Sequence, residues 1–129
     1  PSADQIKQKT HELSFVDRIL FIQNHYNTLA QENEIGFRRY LSTALAESVT
    51  NKKKVRGARR VESLKKSLEP FKKQMSVENY EKIINISSVL MGIDALIVTK
   101  DVCDLNNEKS SELLRWGLEM IIKGMGLDS

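Results

Sequence analysis

The sequence predicts an all-α fold: a single helical domain of about six helices spanning the 129 residues. Three observations lead there. Apolar residues recur at spacings of three and four, and few segments alternate with period two. Only 2 Pro and 6 Gly punctuate the chain. Good N-cap residues (Ser2, Ser14, Ser76 and Asn106) stand just ahead of the periodic stretches.

Ser2-Ala3-Asp4-Gln5 has the form of a capping box and opens a short helix to about Leu13. Ser14 caps a second helix, with Asp17 in its first turn. Phe15, Ile19, Ile22, Tyr26 and Leu29 make its apolar face, and His25 lies beside that face. The polar cluster Gln31-Glu32-Asn33 interrupts. A third helix from Glu34 to Val49 turns Phe37, Tyr40, Leu41, Ala44, Leu45 and Ala46 inward. A fourth, from about Arg56 to Met75, buries Val61, Leu64, Leu68, Phe71 and Met75. Pro70 sits inside it. Proline removes one intrahelical bond and clashes with the carbonyl a turn earlier, so a kink or break is expected near Glu69.

The stretch Ser76 to Met125 reads as two long helices joined by the loop Asp101–Asn106. From Val89 to Val98 the first is apolar nearly all round, and such a helix must be covered on every side. Ser88, Gly92, Ala95 and Thr99 are small at helical spacing, so a second backbone could approach there, beside Leu96. In the last helix the charges Glu108, Glu112, Arg115, Glu119 and Lys123 fall on one line. Most of the rest is apolar, Trp116 and Met120 included. This is more apolar surface than one small domain needs, so the pair is expected to pack on its own domain and on a second copy. The expected dimer face is Ser88, Gly92, Ala95, Leu96, Trp116 and Met120.

Charge narrows the function. The net charge of +3 is local. Lys52, Lys53, Lys54, Arg56, Arg59 and Arg60 fall within nine residues with no acid among them. Without them, the 17 Asp and Glu outnumber the remaining Lys and Arg. That is a patch, not a nucleic-acid-binding face, and it lacks interleaved aromatics for base stacking. Arg59 and Arg60 stand at a helix start, the wrong end for cations. Asp94 lies in an apolar stretch and needs a partner. Arg59 or Arg60 is therefore expected to pair with Asp94 or Asp101, tying the fourth helix to the fifth.

Catalytic and metal signatures are not found. His11 and His25 have no ligand-like neighbours at helical spacing, and Asp101-Val102-Cys103-Asp104 completes no cluster, so no metal is expected. No phosphate loop, nucleophile elbow or paired-carboxylate motif appears. Neither enzymatic activity nor a cofactor is expected. A single cysteine, Cys103, with no signal peptide and no bilayer-length apolar run, points to a cytoplasmic location and no membrane contact. What remains is a pocket between the second, third and fifth helices. There Phe37 and Tyr40 would form walls, His25 and Tyr26 would orient a small apolar effector, and Met91 would adapt to its shape.

The whole-chain pattern then resembles a known family. It runs through Phe15-Val16-Asp17-Arg18-Ile19, Glu34…Phe37-Arg38, Arg56-Gly57-Ala58-Arg59-Arg60-Val61 and Leu68-Glu69-Pro70-Phe71. It continues in Gly92-Ile93-Asp94-Ala95-Leu96-Ile97-Val98, Lys100-Asp101-Val102-Cys103-Asp104-Leu105 and Leu114-Arg115-Trp116-Gly117. These positions resemble the C-terminal regulatory domain of tetracycline-repressor-type (TetR) transcription regulators. The resemblance implies a dimer through a four-helix bundle of two long helices from each chain. It implies a small effector in the helical body, and DNA release when that effector binds. It also implies an N-terminal helix-turn-helix head that reads operator DNA. Nothing before Ser14 is long enough to be that head, so these residues themselves are expected not to bind DNA specifically. Pro70 and the loop Asn51–Val55 are candidates for absorbing movement. A second reading is a stand-alone homodimeric helical interaction module with a solid core and no ligand.

Overall fold

A computed structural model describes residues 1–50 and 58–127, and every regular element among them is helical. In chain order these are α1 (Ala3–Thr10), α2 (Phe15–Glu32), α3 (Glu34–Thr50), α4 (Arg59–Leu68), a 3-10 turn (Glu69–Gln74), α5 (Val77–Val89), α6 (Gly92–Ile97), a π-helical turn (Val98–Val102) and α7 (Asn107–Gly124). The basic run Lys52–Arg56 and the loop Asn51–Val55 lie outside the described residues.

The local signals act where the sequence puts them. Ser2, Ser14, Ser76 and Asn106 each accept a backbone N–H three residues on, and Gln5 closes the capping box back onto Ser2. Asn33 leaves the helical region and separates α2 from α3. Pro70 ends α4 as expected: the chain tightens into the 3-10 turn from Glu69.

The centre of the fold is α2, which touches all six other helices. Phe15, Ile19, Leu20, Ile22, Tyr26 and Ala30 are buried along it. Ile6 of α1, Leu64 and Leu68 of α4, Ile83 and Ile84 of α5, Met91, and Leu118 and Ile122 of α7 complete the core. Each buried Ile, Leu, Phe or Met side chain among them contributes on the order of 1.5–3 kcal/mol by leaving water.

Three polar residues of α2 are buried as well, and each makes a hydrogen bond outside the helix. Arg18 donates to the carbonyls of His11, Leu13 and Ser67, at 2.6, 2.9 and 2.7 Å. Gln23 Nε2 donates to Leu90 O and Leu114 O, at 3.0 and 2.9 Å. Asn27 Oδ1 accepts the Gly92 N–H at 2.8 Å. Thus α2 is fastened by hydrogen bonds to the α1–α2 loop, the end of α4, the α5–α6 joint and α7.

Two expectations about the last third change. The long helix from Ser76 is two helices, α5 and α6, bent by 56°. Leu90 caps α5, Met91 is extended, and Gly92 takes φ +82°, a conformation glycine tolerates at no steric cost. The bend turns the small face of α6 onto α2 and α3 of the same chain. Gly92, Ala95, Leu96 and Thr99 are buried there, and Ser88 is half-buried. Gly92, Ala95 and Leu96 are therefore core residues of the subunit and not a dimer face; the neighbour that covers them is α2. The third helix also packs less than its apolar content suggests. Only Leu41 and Ala44 are buried on α3, while Tyr40 and Leu45 are about half exposed and Ala46 is exposed.

Among the described residues, no single helix is long and apolar enough to cross a membrane.

Candidate functional site

A cleft of about 770 Å3 lies where α2, α3, α4 and α6 meet. From α2 come His25, Tyr26 and Leu29; from α3 come Phe37, Tyr40 and Leu41. Arg59 and Arg60 enter from the start of α4, and Gly92, Ile93 and Asp94 from the start of α6. Asn33 and Pro1 complete the lining. The walls are mainly apolar and aromatic with a few polar groups, the usual make-up of a small-molecule site.

The cleft exists because two helix starts face it. The extended Met91 and left-handed Gly92 start α6 there, and Arg60 crosses from α4 to hold it. Arg60 Nη2 donates to Asp94 Oδ2 at 2.8 Å, and Nη1 donates to the Met91 carbonyl at 2.6 Å. A Cβ on Gly92 would stand 2.9 Å from Arg60 Nη1, so only glycine leaves room for the guanidinium. Tyr26 Oη donates toward Arg59 O at 3.2 Å and shares a hydrogen bond of 2.8 Å with Ser63. Its hydroxyl is thus engaged on α4, and its ring is what faces the cleft.

His25 stands edge-on to Tyr26, ring centres 5.0 Å apart. Burial, reinforced by the N-terminal ammonium and Lys9, lowers its pKa below the ordinary 6.5. Near neutral pH it is an uncharged donor and acceptor.

The fourth wall, α3, is held across the cleft by ions. Arg38 meets Asp101 as a two-pronged fork, both N–O distances 2.9 Å, and its Nε reaches Glu34 at 2.9 Å. Lys100 reaches Glu34 at 2.7 Å. The π turn presents Lys100 and Asp101 side by side toward α3. Hydrogen bonds from Lys100 and then Arg38 hold the Glu34 carboxyl below its usual range, and the Arg38 fork does the same for Asp101.

Of the residues singled out from sequence, His25, Tyr26, Phe37, Tyr40, Arg59, Arg60 and Asp94 meet at this one cleft. Two do not. Met91 is fully buried in the core and gives the site only its carbonyl. Asp101 turns to Arg38 and not to Arg59 or Arg60, because the π turn puts it on a different face from Asp94. Asn27 and Gln23 were not anticipated. Their signal is two amides four residues apart on the apolar face of α2, where nothing but a buried partner keeps them. Among the described residues, no three His, Cys, Asp or Glu side chains converge to hold a metal.

A second surface lies on α7. Its buried line is Ser110, Leu114, Leu118 and Ile122. Roughly 110° round the helix runs another line, Leu113, Trp116, Gly117, Met120 and Gly124. Trp116 is 60% exposed, and Leu113 and Met120 are exposed beside it. A Cβ on Gly117 or Gly124 would meet nothing within 4 Å. Val98 and Val102 of the π turn, which packs against α7, are exposed too.

Comparisons with protein-family models, with curated proteins and with solved structures find no match to this chain.

Proposed function

We propose that this chain is the effector-sensing and dimerisation domain of a TetR-type transcriptional regulator acting in the cytoplasm. A small, largely apolar molecule enters the cleft between α2, α3, α4 and α6. Its binding is coupled to DNA release by a helix-turn-helix head outside these 129 residues. The observation that carries the reading is the cleft of about 770 Å3, which holds an aromatic wall and a few polar groups in the body of the fold.

The dimer in this reading is a four-helix bundle made by α7 and the α6–π segment of each chain. Its contact face is Val98, Val102, Leu113, Trp116, Gly117 and Met120, which replaces the buried α6 ridge. Isolated apolar residues are ordinary on a surface, but a continuous stripe along one helix marks an interaction site. The glycines let a partner's Trp116 approach the backbone closely.

The coupling follows from linkage. An effector moves an equilibrium only by its difference in affinity between the two arrangements. Here α3 is the movable wall: few of its side chains are buried, and its anchor is the partly buried ion cluster it forms with the π turn. The π turn leads directly into the dimer helix.

Sedimentation of the chain at micromolar concentration, with and without Trp116→Lys, tests the dimer; a monomeric parent chain removes that half of the proposal. Crystals soaked with small aromatic compounds test the other half. Occupancy anywhere but this cleft counts against the sensor assignment.

A further inference from the structure

We propose that the cleft selects an amphipathic anion, its apolar body against Phe37 and Tyr40 and its carboxylate, sulfonate or phosphate-type group against Arg59. This rests on reading the cleft as the effector site and names the class of molecule it takes.

Charge in the lining points to this class. Asp94 is the acid in the lining, and Arg60 holds it at 2.8 Å while also serving the Met91 carbonyl. Arg60 so answers the carboxylate in the lining. Arg59, the next residue along, lines the same cleft. Its carbonyl takes the Tyr26 hydroxyl, but among the described residues its guanidinium meets no acid and no acceptor. The segment 51–57, Asn-Lys-Lys-Lys-Val-Arg-Gly, contributes no acidic side chain. Arg59 therefore leaves a positive charge beside an aromatic wall, and the Pro1 ammonium, which also lines the cleft, adds to it.

A guanidinium presents parallel N–H donors that match a carboxylate, sulfonate or phosphate. In a cleft partly closed to water, such a charge-assisted pair is stronger than on an open surface. A neutral ligand would strip water from Arg59 without replacing it, and a cation would be repelled. The site therefore ranks ligands of equal bulk as anion, then neutral, then cation.

Two fluorescent probes that differ by one group provide the test. One is 8-anilino-1-naphthalenesulfonate; the other is N-phenyl-1-naphthylamine, the same skeleton without the sulfonate. Both are titrated into the full chain, into Arg59→Gln and into Tyr40→Ala. Both substitutions are at exposed side chains and leave the core intact. The inference expects three results together. The sulfonate binds about tenfold more tightly than the neutral probe. Arg59→Gln cuts that preference by weakening the sulfonate, while the neutral probe binds no less tightly than before. Tyr40→Ala weakens both. If Tyr40→Ala weakens both probes but they bind equally, or the preference survives Arg59→Gln undiminished, the anion assignment is wrong and the cleft remains a ligand site. If Tyr40→Ala changes neither, the probes are not in the cleft, and the effector-site reading falls with the inference.

Discussion

Arg60 on α4 reaches 34 residues along the chain to Asp94 and closes on it at 2.8 Å, while its other terminal nitrogen holds the Met91 carbonyl at 2.6 Å. One side chain thus fixes the carboxylate and the backbone at the start of α6. This contact, together with Asn27 holding the Gly92 N–H, places one wall of the cleft.

Gly92 is where that arrangement is most vulnerable. Its φ of +82° is strained for any residue with a Cβ, and the added carbon would press on Arg60 Nη1 at 2.9 Å. Gly92→Ala is expected to cost about 1–3 kcal/mol. Denaturant unfolding measures it. A loss within a few tenths of a kcal/mol would mean that the α5–α6 joint is not built as described.

Asn27 separates a packing effect from a hydrogen-bond effect. Asn27→Leu keeps the bulk but leaves the Gly92 N–H buried without an acceptor, at a cost of about 1–3 kcal/mol. The same change should speed amide hydrogen exchange at Gly92 and Ile93. Asn27→Ser, which is smaller but still an acceptor, serves as the contrast. If exchange is equally slow in the Leu variant, the bond carries no weight.

Trp116 tests the dimer face. Trp116→Lys puts a charge into the middle of the α7 stripe, which a self-facing surface meets twice across a two-fold axis. The expected outcome is a monomer by sedimentation with unchanged far-ultraviolet circular dichroism. The side chain is 60% exposed, so the subunit fold has little stake in it.

Acid should loosen the molecule in two separate windows. The folded pKa of His25 lies below 6.5. As pH falls through 6.5, the unfolded chain takes up that proton first, so stability drops from there down to the folded pKa and is fully present above 6.5. His25→Gln should flatten this step in a plot of melting temperature against pH. The carboxyls of Glu34 and Asp101 titrate below their ordinary 4.5 and 3.8. Their contribution is present above those values and lost as pH falls through the lower, folded ones. This second step should coincide with faster hydrogen exchange in α3, and Arg38→Gln should produce the same exchange pattern at neutral pH. An α3 that stays protected in that variant would show that the ion cluster is not its anchor.

What could be read from the sequence was whatever depends on near neighbours. The caps at Ser2, Ser14, Ser76 and Asn106 are bonds across three residues, and the apolar faces of α2 and α4 are periodicities along one helix. Pro70 breaks α4 for a reason contained in its own ring. The cleft residues of α2 and α3 could be grouped because aromatic side chains on consecutive helices converge. What only the tertiary structure decided was which surfaces cover which. An apolar ridge such as Gly92, Ala95 and Leu96 has the same composition whether a second molecule or the chain's own α2 buries it, and the bend at Leu90–Met91 chose α2. Arg38 finds Asp101 across 63 residues, a pairing no local pattern encodes. Arg18, Gln23 and Asn27 look like interruptions of an apolar face until their hydrogen-bond partners, as many as 91 residues away, come into place. Burial makes each of those hydrogen bonds obligatory, and burial is a property of the assembled fold rather than of any single segment.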